Sequence, residues 1–334
     1  VLGKERIING QEARLDICAG MSLSKPGAIA SDQLLIESSL ALRSAKQKGS
    51  RSIALFSPDM RAIFEENMEI AKELRQALKV GKIVPWYQPQ VCAKTGVIVG
   101  AEALVRWIDT AEGVRFPNAF LPAASEAGYM EAVDETVRHQ AMAMAAQIRR
   151  VSPAPFHIGL NVSASLLMDD KCIDILTGET ERAGLRPGQV SIEILEAVMI
   201  DEFAAAPILE NVAKLSELGF FIELDDFGTG HSSISSLRDL KVDRVKIDRS
   251  FISGVDKNPK LQRFTSALIQ LARSLDISVL AEGVETEGER LWLTENDCDV
   301  IQGFLISKAV PEDELRTQVA RQAVLEATHA DVPA

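Results

Sequence analysis

A chain of 334 residues, 46% hydrophobic and 25% charged, has room for two domains or for one barrel with an appendage. Its 36 basic and 48 acidic residues leave a net charge of −12, which excludes broad binding to DNA or RNA backbones but not a small anionic ligand held through a cation. No run is long enough for a membrane span, no basic-then-apolar leader opens the chain, and Cys18, Cys92, Cys172 and Cys298 form no CxxC pair, as expected of reduced thiols in a cytoplasmic protein.

The chain opens at Val1 rather than at a methionine, so it is expected to be a piece of a longer protein whose other segments could tether it to a membrane. Residues 15–22 read as a strand. Residues 31–49 read as a helix, with Ser31 as cap, apolar residues at Leu34, Leu35, Leu40 and Leu42, and basic residues toward its end. Residues 52–56 read as a second short strand, and so little structure buries too small a core to fold alone. Residues 67–80 form a charged amphipathic helix, a natural linker.

Beyond it, apolar strand-like runs (83–91, 97–107, 156–162, 190–195, 220–224, 244–247, 278–281 and 300–306) alternate with helical stretches at 134–150, 201–218, 260–275 and 287–295. Eight strands over about 250 residues predict an α/β fold, a TIM-like (β/α)8 barrel, with a doubly wound open sheet as the competitor. The first two runs are close enough for a hairpin over 92–96, so the first strand is expected to be antiparallel.

The informative feature is what interrupts the apolar runs. Glu102, Asn161, Glu193, the pair Asp225 and Asp226, Lys246, Glu282 and Gln302 each stand at or near the C-terminal end of a different run. In a barrel those ends converge on one face, where active sites lie. Taken singly, each has a plainer reading: a glutamate on a solvent face, Asn161 as a turn or cap, Lys246 as a surface lysine or the partner of Asp248. Recurrence in strand after strand favours a shared site.

Five carboxylates (Glu102, Glu193, Asp225, Asp226 and Glu282) cannot all remain ionised in one pocket without compensation. Oxygen donors without histidine or cysteine select hard cations, Mg²⁺ or Mn²⁺, with Ca²⁺ as a non-productive occupant. The set suffices for two ions, an arrangement suited to in-line attack on a phosphodiester. Gly228-Thr229-Gly230, directly after the aspartate pair, reads as a mobile gate, bordered by His231.

Glu102-Ala103-Leu104-Val105-Arg106 resembles the signature of EAL-domain cyclic-di-GMP phosphodiesterases. It follows Tyr87-Gln88-Pro89. Downstream come Asn161-Val162-Ser163, Glu193-Ile194-Leu195-Glu196, Asp225-Asp226-Phe227-Gly228-Thr229-Gly230, Lys246-Ile247-Asp248, Ala281-Glu282-Gly283-Val284-Glu285 and Gln302-Gly303-Phe304, all in family order. The resemblance implies metal ligation by Glu102, Asn161, Glu193, Asp225 and Asp226, with Glu282 at or beside the metals. It implies that Lys246 holds the attacking water or the reacting phosphate, that Arg106 pairs with a substrate phosphate, and that Gln88, Leu104 and Gln302 line the substrate site. Glu196 would brace the glycine-rich loop. The proton acceptor stays open between Lys246, Asp226 and Glu282. The expected reaction opens cyclic-di-GMP to linear pGpG, with Ca²⁺ inhibitory.

The chain departs from the family pattern at Leu195-Glu196-Ala197, at His231 and at Phe304. Residues 1–62 resemble the C-terminal part of a GGDEF domain, through Ala41-Leu42-Arg43-Ser44-Ala45-Lys46-Gln47-Lys48-Gly49 and Phe56-Ser57-Pro58-Asp59-Met60. The organisation expected is thus a GGDEF-like fragment at 1–62, a linker helix at 63–80, the barrel at 81–325 and a tail at 326–334. The family also implies a homodimer, with contacts near 201–218 and 238–248. A degenerate receptor that binds the dinucleotide without cleaving it, and an enolase-type barrel, are the rival readings.

Overall fold

The computed structural model describes residues 6–8, 11–13, 17–24, 31–47, 52–109, 113–152, 155–196, 202–229 and 241–330. Two compact units divide the chain: Val1–Gln76 with Asn118–Gly128, and Ala77–Pro117 with Tyr129–Ala334.

In the first unit β1 (Arg6–Ile8) pairs antiparallel with β2 (Gln11–Ala13), a hairpin that the hydrophobic pattern did not reveal. β3 (Ala19–Met21) pairs in parallel with β4 (Ile53–Leu55), and the helix Ser31–Gln47 joins them. Ala41, Ala45 and Ala54 form its small buried core. Gly20 is required there, because a Cβ at that position would run into the backbone of Leu42. Arg43 bridges to Glu126 at 2.7 Å and lies over the Phe64 ring.

The helix expected over 67–80 spans Pro58–Lys79. Its earlier start follows from Pro58 in the first turn, where a missing N–H costs nothing, and from Asp59 beside the positive end of the helix dipole.

In the second unit eight strands close into a barrel. They are β5 (Ile83–Cys92), β6 (Ile98–Asp109), β8 (His157–Asn161), β9 (Val190–Leu195), β10 (Phe221–Phe227), β11 (Arg244–Ile247), β12 (Ser278–Ala281) and β13 (Val300–Ile301). β7 (Gly113–Arg115) extends the sheet as an antiparallel neighbour of β6. β5 runs antiparallel to both β6 and β13, and the other barrel pairings are parallel, as the 92–96 turn led one to expect. That turn closes through Gly96, at φ 72°, whose amide donates to the Cys92 carbonyl.

The helices Met130–Val151, Cys172–Ala183, Glu202–Glu217, Pro259–Ser274, Glu287–Glu295 and Glu312–Ala330 accompany the strands. Their apolar faces and the outward faces of the strands form one large core, including Met142, Ile148, Leu176, Ile192, Val212, Ile222, Ile269 and Leu293. The helix Cys172–Ala183 was not anticipated. It is tied to Met130–Val151 by a buried two-pronged pair, Arg138 to Glu179 at 2.9 and 3.1 Å.

Two strand ends differ from expectation. β13 stops at Ile301 rather than near 306, because Gly303 lies so close to the Val284 backbone that a Cβ would clash, and Ile306 turns back to the Gly303 carbonyl. β10 runs on to Phe227, taking Asp225 and Asp226 into the sheet.

Candidate active site

The period of two along a strand sends alternate side chains into the barrel. Here they are unusually polar. Glu223 and Glu193 are register partners, and Arg244, two residues before Lys246, donates to Glu223 at 3.1 Å while Ser191 donates to the same oxygen at 2.7 Å. Above this tier the Lys246 Nζ lies 2.8 Å from Glu193 Oε2, 2.8 Å from Glu282 Oε1, 3.2 Å from Asp225 Oδ1 and 3.4 Å from Glu102 Oε2. The lysine is fully buried, so the plainer reading of a surface residue is excluded. Burial alone would lower its pKa, but the surrounding carboxylates, Glu102 and Glu193 foremost, hold it well above the ordinary lysine value.

Consecutive residues of a strand ordinarily point to opposite faces, so two adjacent aspartates should not share a site. A bulge resolves this. Leu224 pairs with Val245 and Phe227 with Ile247, leaving Asp225 and Asp226 together opposite Lys246. Asp226 takes φ 56°, a left-handed conformation that aspartate tolerates better than most residues. The outcome is that carboxylate oxygens of Asp225, Asp226 and Glu282 all come within 4.8 Å of one another.

Glu102 is buried and held from two sides. Asn161 Nδ2 donates to its Oε1 at 3.0 Å, and Gln302 Nε2 donates to its Oε2 at 2.7 Å. Burial pushes its carboxyl up, but Lys246 and these two amides bring it below the usual carboxylate range. Glu193 and Glu282 go the other way. Burial raises Glu193 well above the usual value, with Glu102 adding to it, and raises Glu282 to about 8. Burial, with Asp225 beside it, also raises Asp226. One ammonium therefore does not neutralise the ring.

Gln88, Glu102, Leu104, Asp225, Glu282 and Gln302 line a cavity of about 270 Å³ at the strands' C-terminal ends. Arg249, Glu285 and Phe304 line it too, with Arg249 bridged to Glu285 at 2.8 Å. The sequence motifs imply no role for Arg249 or Glu285. Their proximity to Lys246 and Glu282 along the chain was the available signal. Glu196 accepts the Gly228 amide at 3.0 Å, at the start of the glycine-rich loop, while Gly230, His231 and Ala197 lie outside the described residues. Arg106 is buried between the rings of Trp86 (5.8 Å) and Phe116 (5.0 Å), and its Nε has no hydrogen-bond partner among the described residues.

The closed barrel, the antiparallel first strand and a mouth built from the Glu-Ala-Leu strand, the bulged aspartate pair and Lys246 agree with the family that the sequence motifs resemble. The EAL domain model matches residues 71–309. The chain belongs to the EAL family. Over 314 residues it is 33% identical to MucR of Pseudomonas aeruginosa, a bifunctional diguanylate cyclase/cyclic di-GMP phosphodiesterase, covering 94% of this chain and 45% of MucR. It is 31% identical to the cyclic di-GMP phosphodiesterase NbdA of the same organism, covering 91% of this chain and 39% of NbdA. The chain thus spans less than half the length of these curated relatives. Among solved structures, the c-di-GMP complex of the PaMucR phosphodiesterase superposes with a TM-score of 0.69 at 34% identity, covering 74% of this chain and 99% of that one.

The EAL donor set suits divalent cations. Its side chains would offer a cation oxygens alone, and Glu193 Oε1 is buried with no hydrogen-bond partner among the described residues. No helix among the described residues is long and apolar enough to cross a membrane.

Proposed function

We propose that this EAL domain hydrolyses one phosphodiester of cyclic di-GMP to give linear pGpG, and so lowers a bacterial second messenger. The observation that carries this reading is the ring of Glu102, Glu193, Asp225 and Glu282 about Lys246, at the mouth of an EAL barrel and beside a cavity of about 270 Å³. The relatives named for the same activity support it.

Glu102, Asn161, Glu193, Asp225, Asp226 and Glu282 would hold two cations, Mg²⁺ or Mn²⁺, with Ca²⁺ binding unproductively. Bound there, the cations supply Lewis acidity toward the scissile phosphate and lower the pKa of water at the site. Lys246, an ammonium amid carboxylates, donates a hydrogen bond to the attacking water or to a phosphate oxygen. That role leaves Asp226 and Glu282 to accept the proton. Arg106, whose guanidinium lies over the Trp86 and Phe116 rings, pairs with a substrate phosphate. Gln88, Leu104 and Gln302 contact the dinucleotide, and Glu196 holds the loop that follows Asp226.

In the same proposal residues 1–62 are the end of a GGDEF domain, 63–80 a linker, 81–325 the phosphodiesterase and 326–334 a tail, and the domain works as a cytoplasmic homodimer. Asp201 and residues 238–240 of the proposed dimer contacts lie outside the described residues.

The test is to incubate the purified chain with cyclic di-GMP and Mg²⁺ or Mn²⁺ and separate the products. Formation of pGpG, suppressed by Ca²⁺, is expected. Binding without cleavage would make the chain a receptor, and no binding would remove the proposal.

A further inference from the structure

Gln90 is 1% exposed, does not line the cavity and makes no hydrogen bond, among the described residues, to those proposed to hold metal, yet it joins the amide network beneath them. Its Nε2 donates to Gln302 Oε1 at 3.0 Å. With that oxygen engaged, both hydrogens of Gln302 Nε2 face the site, one toward Glu102 Oε2 at 2.7 Å and one toward Gln88 Oε1 at 3.0 Å. Gln88 is oriented in turn, because its own Nε2 donates to the Ser307 carbonyl at 3.2 Å. Gly100, the register partner of Gln90, makes the room: a Cβ there would lie 3.1 Å from Gln90 Oε1 and 2.7 Å from the His157 carbonyl.

We infer that Gln90 is a positioning residue for the metal centre, acting through Gln302 to hold Glu102 in its ligating rotamer. An amide side chain has a donor end and an acceptor end of nearly the same shape, so something must fix which end faces a carboxylate. Gln90 fixes it from below, and Asn161 takes the other oxygen of Glu102. Glu102 thus meets a cation without first losing rotamer freedom. Partners behind a metal ligand commonly control affinity or activity by about 10–100-fold. The lower end applies here, because Gln88 still favours the same orientation of Gln302 when Gln90 is gone.

The inference rests on the proposed metal-dependent reading, and its test separates the two. Gln90→Met keeps the volume and removes the donor. With the whole 334-residue chain, Mn²⁺ affinity is measured by calorimetry in the absence of substrate, and kcat and KM are measured with cyclic di-GMP. Expected are a folded variant, Mn²⁺ binding weaker by roughly 10-fold, kcat lower by a similar factor and KM within about twofold. Unchanged Mn²⁺ affinity in the folded variant overturns the inference. If the wild-type chain binds Mn²⁺ but does not cleave the dinucleotide, the phosphodiesterase reading falls while the Mn²⁺ comparison still decides the role of Gln90. Should Gln90→Met fail to fold, the side-chain amide resonance of Gln302 in the wild type, assigned by its loss in Gln302→Glu, decides. Two resolved, exchange-protected protons are expected, and a fast-exchanging amide overturns the inference.

Discussion

The backbone amide of Asp226 donates to Oδ1 of Asp225, its own neighbour, at 2.9 Å. This contact belongs to the bulge that turns two successive side chains of one strand toward the same cluster. It also ties backbone conformation to the proposed metal site, since Asp226 holds a left-handed φ of 56° within the bulge.

Replacing Asp226 therefore separates conformation from charge. Asn tolerates the left-handed region and removes a carboxylate from a crowded cluster. Asp226→Asn is expected to melt at or above the wild-type temperature while cyclic di-GMP turnover drops by roughly 100-fold or more. Asp226→Val should instead lose about 1–3 kcal/mol of stability, because a β-branched residue is strained there. Thermal melts and product chromatography of the two variants check both outcomes.

Lys246→Met removes the one ammonium from a ring of four carboxylates. Taking one partner from a buried charge cluster typically costs about 3–5 kcal/mol, and that loss is expected in EDTA. Adding Mn²⁺ should raise the melting temperature of the variant more than that of the wild type, since the cation then supplies the missing positive charge. Turnover should stay low even with saturating Mn²⁺. An equal Mn²⁺ shift in both proteins would count against the electrostatic account.

Glu196→Ala leaves the Gly228 amide without its acceptor. Asp226, two residues earlier in the chain, loses the brace beyond it. A fall in kcat of roughly 10-fold is expected, with Glu196→Gln, which retains an acceptor, recovering part of it. Equal losses in both variants would show that the charge of Glu196, not its hydrogen bond, matters.

The opposite end of the barrel has a pH dependence of its own. Burial, with Arg244 adding to it, lowers the His157 pKa from 6.5 to about 4, and its ring packs 4.9 Å from Phe221. Between those two values the imidazole binds the proton in the unfolded chain and not in the folded one, so the contribution of His157 to stability rises with pH through that window and is flat above it. Acidification from pH 6.5 to 4 should cost about 1–3 kcal/mol from this residue, allowing for partial exposure of the ring. Chemical denaturation at several pH values should show a shallower decline for His157→Phe than for the wild type.

Much of the architecture was legible in the chain because its signals are local. Apolar runs of strand length alternating with helical periods mark a barrel, and a short turn over 92–96 marks the antiparallel opening. Polar residues at the ends of those runs marked the site, since the strand ends of a barrel must meet. The hairpin at β1 and β2 and the short β7 are too brief to carry a period, and Thr177, Gly178 and Thr180 mask the helix Cys172–Ala183 as a turn.

What tertiary structure alone decided is the pairing within the site. Nothing local says that Lys246 meets Glu102, Glu193, Asp225 and Glu282, because those contacts depend on which strand closes the barrel against which. The bulge at Asp225 and Asp226 is a property of two strands in register, invisible in one. Gln90 is the sharpest case. By sequence it is a second glutamine in a strand, and only closure of β13 onto β5 brings Gln302 to it and gives its amide a direction. The sequence by itself determined which groups the barrel mouth would contain, because side-chain periodicity is set along the chain. Their distances, partners and protonation were left to the fold, because those depend on burial and on neighbours remote in sequence.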